Sequence, residues 1–352
     1  MEQTSNTVKN RILWLDLLRI AAAFAVVLTH VTRSSLRSAA FSNPRIWLQM
    51  VSFNSAVRWQ NPVFFMISGA LLLGREPNIP KLYKKNLLRF VIAFFVWSTV
   101  YAILQFDPQQ GAIKLIRNII DGPSIFWFIP TLAGLYMLTP LFRQLVKNER
   151  YMKYYLVISF IFAFVLKQAA SIAGLFSEGL ESMLLEPRSR LGLSVGNSSF
   201  YFVFGYYLAN VKLSKKQSTA AAVLGLIGFI STAAGTVILS RIMGYSVELL
   251  FNLATVNALL ESMLVFLAFR KLFENHTFGE RAQRVITSVS KWTFGTYLIH
   301  FAIILILQQY GIHALRFTPL ISVPILSVSI FAVSLLISAL LNQIPIFNKY
   351  AI

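Results

Sequence analysis

The chain has 352 residues, of which 56% are hydrophobic and 13% charged, with a formal net charge of +19 and no cysteine. Repeated apolar runs of about twenty residues make this composition typical of a polytopic membrane protein and exclude a soluble domain. The lack of cysteine excludes disulfides, thiolate metal sites and a cysteine acyl-enzyme. Most Lys and Arg lie in short loops between apolar runs, so we expect no nucleic-acid partner despite the charge.

The apolar runs predict an all-α fold of about ten transmembrane helices, with both termini in the cytoplasm. We expect a short polar arm at 1–10, a single membrane domain at 11–345 and a short cytoplasmic tail at 346–352. The predicted spans are, in order, about 12–31, 63–73, 86–105, 124–142, 154–174, 198–211, 219–240, 249–269, 293–310 and 319–341. The count of ten depends on accepting the short second and sixth spans.

The segment before the fourth span is predicted to be a polar loop. It covers residues 106–124 and ends in Asp121-Gly122-Pro123. Within the fourth span, Pro130 and Pro140 each free a carbonyl group, so we expect both to kink the helix.

The distribution of basic residues indicates the orientation of the spans. With the N-terminus inside, the inner loops carry most of the Lys and Arg, as membrane topology requires. The first outer loop is an exception, because it carries Arg33, Arg37, Arg45 and Arg58. These arginines bind either lipid headgroups, the interpretation that we favour, or an anionic substrate outside the membrane.

The first span carries three ionisable residues, Asp16, Arg19 and His30. Around the helix axis, Arg19 lies about 60° from Asp16 and His30 about 40° from it on the same side, with about 16 Å between Arg19 and His30. Ionisable groups within membrane helices face the bundle interior and mark functional sites. Asp16 and Arg19 can neutralise one another, and a neutral His30 can take a proton from a hydroxyl group.

The third span begins with the basic residues Lys84, Lys85 and Arg89. Their charges suit phosphate recognition from the cytoplasm. The alternative is simple anchoring of the helix by positive charge, which Arg89 fits least because it lies inside the apolar run.

Two later spans each contain one buried titratable residue, Glu261 and His300. A lone carboxyl group at that depth needs a hydrogen-bond partner or a bound proton. Either residue can line a central cavity, and for His300 a purely structural role is an equal alternative. The four histidines are too scattered to indicate a metal site, and we expect no tightly bound cofactor.

Five segments in order resemble the acyltransferase-3 family of integral membrane acyltransferases, most closely the subgroup of the enterobacterial common antigen O-acetyltransferase. The FF-x-x-SG segment, for example, falls on Phe64, Phe65, Ser68 and Gly69. The five segments are LDLLRIAAAFAVVLTH, PVFFMISGALLL, KKNLLRF, WFIPTLAGLYMLTPLFR and FGTYLIHF. Lysines stand at 84 and 85 where the family commonly has arginines, which keeps the charge but loses the planar fork of donors.

The resemblance implies a cytoplasmic acyl-CoA donor, usually acetyl-CoA, and a hydroxyl acceptor on a cell-envelope glycan or glycolipid. By position it makes His30 the catalytic residue, and Arg19, Lys84, Lys85 and Arg89 the residues that hold the donor. We also expect Asp16, Ser68, Glu261 and His300 to line or support the cavity, although the family does not fix a role for Glu261. His30 acts either as a general base or as the acyl carrier. We expect a multi-pass protein of the bacterial inner membrane, in contact with lipids and able to form a homo-oligomer.

Two other functions fit the sequence. An exporter of a polysaccharide or its lipid-linked intermediate also explains ten spans and intramembrane charges. It does not explain a basic inner end and a histidine on one path, and no paired interrupted helices are evident. A membrane sensory module is the third alternative, and it does not require His30.

Overall fold

The structure, a computed structural model, describes residues 12–36, 43–74, 79–190 and 196–352. Regular secondary structure in these residues is helical throughout, without a strand. The α-helices, in chain order, are α1 Leu13–Leu36, α2 Pro44–Ser55, α3 Gln60–Leu72, α4 Ile79–Leu82, α5 Leu88–Leu104, α6 Gly111–Asp121, α7 Phe128–Met137, α8 Thr139–Lys147, α9 Glu149–Phe160, α10 Leu166–Gly174, α11 Glu178–Arg190, α12 Asn197–Asn210, α13 Lys215–Met243, α14 Val256–Phe273, α15 Glu280–Gln309 and α16 Pro319–Leu341. Shorter 3₁₀ or π turns occupy Tyr83–Leu87, Pro108–Gln110, Ser124–Trp127, Ile161–Val165, Leu249–Phe251 and Phe347–Ala351. The predicted arm at 1–10 lies outside the described residues.

Seven helical segments of the described chain are long and apolar enough to cross a membrane. They are Leu13–Arg33, Pro108–Met137, Glu149–Gly174, Lys215–Met243, Leu249–Phe273, Glu280–Gln309 and Pro319–Leu341. The prediction of an all-α polytopic membrane protein is therefore confirmed. The predicted second, third and sixth spans fall on α3, α5 and α12, with 13, 17 and 14 residues. The total of ten spans and the orientation of the termini stay predictions.

The prediction of a polar loop at 106–124 is wrong, because α6 lies within it. The chain leaves α5, reverses, and returns along α5 to Gly122, where a Cβ atom would lie 2.6 Å from the Phe94 ring and 2.9 Å from Ser98 Oγ. The helical run then breaks at Gly122-Pro123, where Gly122 has a φ of +68° that favours glycine. The predicted fourth crossing therefore corresponds to an interrupted candidate span that runs from Pro108 to Met137.

The signal that the prediction missed is a helical period among polar residues. Ile113, Ile116 and Ile120 recur at spacings of three and four and form one exposed apolar face of α6. Lys114 and Arg117 lie between them in the sequence. Their charges obscure the helical period when hydropathy is averaged over the segment.

The segment with the two predicted proline kinks is not one continuous helix. Pro130 lies in the first turn of α7, and Pro140 lies in the first turn of α8. Backbone N–H groups in a first turn have no partner within the helix, so proline fits there without breaking a hydrogen bond. The segment that was predicted as one kinked helix is two helices that meet at Leu138.

Helices α3 and α12 pack at backbone contact, and two glycines make this possible. A Cβ atom on Gly69 would lie 1.7 Å from the carbonyl oxygen of Phe202, and one on Gly205 would lie 2.2 Å from that of Met66. Positions 66 and 69 pair with 205 and 202 in reverse order, so the two helices run antiparallel. Small residues at such contacts let membrane helices gain dispersion contacts that larger side chains would prevent.

The C-terminal residues pack onto α5 instead of extending away from the bundle. Trp97 Nε1 donates to the carbonyl oxygen of Ala351 at 3.0 Å. Ile352 is buried and contacts the position where Gly295 would carry a Cβ atom. The segment predicted as a tail at 346–352 therefore packs against α5 and α15.

We expect Gly69→Ala to destabilise the protein by about 3 kcal/mol, because the added methyl group would overlap the Phe202 carbonyl group. The measurement is the thermal unfolding midpoint of the purified protein in detergent. Gly134→Ala is the matched control, because a Cβ atom at this position in α7 meets nothing within 4 Å. An unchanged midpoint for Gly69→Ala would show that α3 and α12 are not in backbone contact.

Candidate active site

At one end of the bundle, an ion pair within α1 is hydrogen-bonded to α15. Asp16 Oδ1 accepts hydrogen bonds from Arg19 Nη1 at 3.0 Å and from Ser290 Oγ at 2.6 Å. Arg19 Nη1 also donates to Ser290 Oγ at 3.1 Å. The predicted pairing of Asp16 with Arg19 is present, and Ser290 joins it to the second helix. Because Asp16 is buried and Arg19 half-buried, the pair neutralises charge inside the bundle and orients the guanidinium group.

A cavity of about 280 Å³ begins beside this ion pair and lies between α1, α3, α5, α7 and α15. Its volume is close to the lower end for small-molecule sites, about 300 Å³. The lining residues are Arg19, Val26, Asn61, Phe64, Ile67, Ser68, Asn86, Arg89, Phe90, Phe128, Leu132, Tyr136, Ser290, Lys291, Thr293, Phe294 and Tyr297. Aromatic and aliphatic walls with cationic groups near one end suit a ligand that is elongated, partly apolar and anionic.

Arg89 is the predicted donor-binding residue of the third span that lines the cavity. Its guanidinium carbon lies 5.2 Å from the centre of the Phe294 ring, and its buried Nε has no hydrogen-bond partner among the described residues. Lys84 is exposed and is not among the lining residues. The side chain of Lys85 lies outside the described part. Asn86, from the same π turn, does line the cavity.

The FF-x-x-SG segment on α3 divides its residues between two faces. Phe64 and Ser68, one helical turn apart, line the cavity, and Ser68 Oγ donates to the Phe64 carbonyl oxygen at 2.9 Å. Phe65 and Gly69 face the core, where Phe65 packs on Phe128 with ring centres 4.7 Å apart. The segment therefore shapes the cavity on one face and allows close helix packing on the other.

His30 lies just beyond the far end of the cavity, one turn after the lining residue Val26. Its ring centre is 5.2 Å from that of His300 on α15 and 5.5 Å from that of Phe301. His300 is fully buried, with Nδ1 2.7 Å from the carbonyl oxygen of Tyr297. The structure thus brings together two histidines that are 270 positions apart in the sequence.

Sequence reasoning missed the α15 residues that form a large part of the cavity. Ser290, Thr293 and Tyr297 precede His300 at spacings of three and four, so all four lie on one face of the helix. Lys291 lies beside them in the sequence and also lines the cavity. The predicted ninth span begins at 293, whereas α15 begins at Glu280. Ser290 and Lys291 therefore fall outside the predicted span.

Arg58 is a second residue whose environment the sequence did not reveal. The expectation that it binds lipid headgroups is wrong, because it is only 6% exposed. Its Nε donates to the Asn54 carbonyl oxygen at 2.8 Å and its Nη2 to Thr29 Oγ1 at 3.3 Å, while the guanidinium group lies over the Phe251 ring. The cation thus sits beside Thr29, the neighbour of His30, and holds the loop between α2 and α3 against α1.

Glu261 is fully buried between α13 and α14 and is not among the residues that line the cavity. Its Oε1 accepts a hydrogen bond from Thr232 Oγ1, which also accepts one from Asn257 Nδ2 at 2.7 Å. The contacts observed for Glu261 therefore join two helices. No group of three or more histidine, aspartate or glutamate side chains that could hold a metal ion occurs within the described ranges.

The arrangement combines two kinds of chemistry on one path. Cationic groups at the ion-pair end can bind an anionic ligand, and a pair of imidazoles beyond the other end can accept and return a proton. Between them, most of the lining side chains are aromatic or aliphatic. Such a site suits transfer of a group from an anionic carrier.

Comparison with known proteins agrees with this arrangement. The acyltransferase-3 family, described as an acyltransferase domain, matches residues 12–341. The Bacillus subtilis (strain 168) protein YfiQ, which is named as a candidate membrane-bound acyltransferase, is 23% identical over 305 residues, covering 81% of this chain and 78% of that protein. No solved structure matches the chain.

The fold and the family match together define a multi-pass membrane acyltransferase. The chain belongs to the acyltransferase-3 family. The resemblance inferred from five short segments is therefore confirmed for the family, while the proposed subgroup stays a prediction.

We expect Asp16→Ala to lower stability by about 2 kcal/mol, because it leaves the half-buried Arg19 cation without its carboxylate and Ser290 without its acceptor. The double substitution Asp16→Ala with Arg19→Ala should regain part of this loss. Thermal unfolding midpoints of the two single variants and the double variant measure the coupling.

The control for this cycle is Asp121→Ala, which breaks a more exposed ion pair with Arg117 on α6 and should change the midpoint little. Strict additivity of the Asp16 and Arg19 effects would contradict the pairing.

Proposed function

We propose that this protein transfers an acyl group, most simply acetyl, from acyl-CoA on the cytoplasmic side to a hydroxyl group of a cell-envelope glycan or glycolipid. The proposal rests on one continuous cavity. The cations Arg19, Arg89 and Lys291 line it, and it extends to residues next to the His30–His300 pair. Its cations suit the phosphates of a CoA carrier. Its far end lies one helical turn from His30, a residue able to deprotonate a hydroxyl group.

In this proposal Arg89 and Lys291 bind the phosphate groups of the donor. Arg89 Nε has no protein partner in the described part of the chain, so a phosphate oxygen can satisfy it. Arg19 is oriented by Asp16, and Asn86 adds a neutral donor. Lys84 and Lys85, which precede the lining residues Asn86 and Arg89 in the sequence, contribute positive charge that attracts the donor. The acyl chain then extends along Phe64, Phe128 and Leu132 toward Tyr297.

The reaction at His30 transfers one proton and one acyl group. His30 takes the proton of the acceptor hydroxyl, and the oxygen attacks the thioester carbonyl carbon. The tetrahedral intermediate collapses with cleavage of the carbon–sulfur bond, and the proton passes from His30 to the departing thiolate. Alternatively, a ring nitrogen of His30 attacks the thioester first and carries the acyl group to the acceptor.

The acceptor and the cellular location follow from the resemblance to polysaccharide O-acyltransferases. We propose a bacterial inner-membrane location, with the glycan reaching His30 from the outer side. The exposed apolar surfaces of the helices contact membrane lipids, and a homo-oligomer is compatible with them. Ser68 and His300 shape and support the path, and Glu261 supports it indirectly through the α13–α14 contact.

The exporter alternative also accommodates a multi-pass bundle, but the family match is to an acyltransferase domain. An exporter also needs no imidazole pair beyond the end of the cavity. We therefore propose acyl transfer alone.

The direct test is transfer from radiolabelled acetyl-CoA to envelope glycan by the purified protein. We expect His30→Ala to lower the transfer rate by about a hundredfold to ten-thousandfold, because it removes the group that deprotonates the acceptor. His276→Ala is the matched control, since His276 is exposed and lies away from the cavity.

Two further outcomes are informative. Label that stays on the wild-type protein without acceptor, and is absent from His30→Ala, would identify the acyl-histidine route. Transfer that survives His30→Ala would exclude both catalytic roles of His30.

A second prediction concerns donor binding. We expect Arg89→Ala to raise the KM for acetyl-CoA roughly tenfold, because it removes charge-assisted hydrogen bonds to phosphate, with the acceptor KM unchanged. Steady-state kinetics with each substrate varied in turn provide the measurement. Arg150→Ala, which removes an exposed charge on α9, is the control. A change confined to the acceptor KM would assign the cavity to the acceptor.

A further inference from the structure

Two imidazole rings from different helices face each other beyond the far end of the cavity. The rings of His30 and His300 have centres 5.2 Å apart and planes inclined by 46°. Two imidazoles joined by one N–H···N hydrogen bond of about 2.9 Å have centres about 5 Å apart. The observed separation therefore allows such a bond after rotation of one ring.

The backbone of α15 determines which nitrogen of His300 carries the proton. Nδ1 lies 2.7 Å from the carbonyl oxygen of Tyr297. Because a carbonyl oxygen can only accept, Nδ1 must be the donor, and Nε2 of the neutral ring then carries the lone pair. Tyr297 is itself fixed, since its hydroxyl group donates to the Ile125 carbonyl oxygen at 2.5 Å, beside the break in the fourth crossing.

The lone pair on His300 Nε2 has no hydrogen-bond donor among the described residues, although His300 is fully buried. A buried acceptor without a donor is costly, and native structures seldom keep one without a functional reason. His30 is the ring neighbour that can supply an N–H group, because Phe301 has no polar hydrogen and the Tyr297 hydroxyl group already donates to Ile125.

We propose that His300 is a positioning residue for His30, an inference that rests on the proposed acyl transfer. His300 Nε2 accepts the N–H of His30, which leaves the other nitrogen of His30 with its lone pair toward the acceptor hydroxyl. When His30 takes the hydroxyl proton, its N–H becomes a stronger donor to His300, so the imidazolium is stabilised until the proton passes to the thiolate. His300 thus has the orienting role that a carboxylate has in many catalytic triads.

Two substitutions separate this role from packing. In His300→Asn the amide can still donate to the Tyr297 carbonyl oxygen but places no acceptor at the Nε2 position. In His300→Gln the side-chain oxygen can occupy that position. We expect kcat to fall about a hundredfold in His300→Asn, with the KM for acetyl-CoA within twofold of wild type, and at least tenfold of that loss to be regained in His300→Gln. Equal losses in the two variants, or a wild-type kcat in His300→Asn, would overturn the proposal.

A spectroscopic measurement tests the same hydrogen bond without altering either ring. The chain has four histidines, so His276→Gln with His313→Gln leaves only His30 and His300. In this background, solid-state ¹⁵N spectra of histidine-labelled protein should show one N–H···N coupling between the two rings. Two uncoupled rings would contradict the proposal.

The transfer assays also distinguish a failure of the His300 role from a failure of the proposed acyl transfer. A wild-type protein that transfers no acyl group would refute the function itself. Wild-type transfer that is lost in His30→Ala but unchanged in His300→Asn would refute only the role of His300.

Discussion

The packing of α1 along α15 is the contact on which the rest of the site depends. At one end Asp16 binds both Arg19 and Ser290, and further along α1 His30 faces His300. Both contacts require the same face of α1 to meet the same face of α15 over about 16 Å, the rise between positions 19 and 30. Because the ion pair neutralises itself, the bundle can keep two charged groups within it. The remaining helices complete a cavity that these two begin.

Two buried ionisable residues outside the cavity join neighbouring segments of the bundle. Glu261 and Arg58 are held by Thr232, Asn54 and Thr29, so their observed contacts join helices. Arg89 Nε and His300 Nε2, at opposite ends of the path, have no hydrogen-bond partner among the residues that the structure describes. The interrupted span Pro108–Met137 contributes Phe128 and Leu132 to the cavity. Irregular backbone within a membrane is tolerated where it is buried in protein or lines a cavity. The Ile125 carbonyl oxygen beside that break accepts from Tyr297, which links the break to the histidine pair.

The sequence was sufficient for the features that depend on local pattern. The apolar runs predicted a polytopic helical protein, the spacing of Asp16 and Arg19 predicted their pairing, and ordered short segments indicated the family. It was insufficient where polar residues interrupt an apolar period, as in α6, or where a helix extends beyond its apolar run, as in α15. The proximity of His30 to His300 and the burial of Arg58 depend on how distant helices pack, and no local pattern encodes that contact. The catalytic and donor-binding roles of His30, Lys84 and Arg89 stay predictions.

In the proposed complex, one ligand extends from the cationic end of the cavity to the histidine pair. The most direct measurement is a cryo-EM structure of the protein with a CoA thioether that cannot transfer its acyl group. We expect phosphate density against Arg89 and Lys291, and the acyl end beside Tyr297 within reach of His30. A ligand bound at the Arg58 side of the bundle, or a cavity that excludes the thioether at saturating concentration, would contradict it.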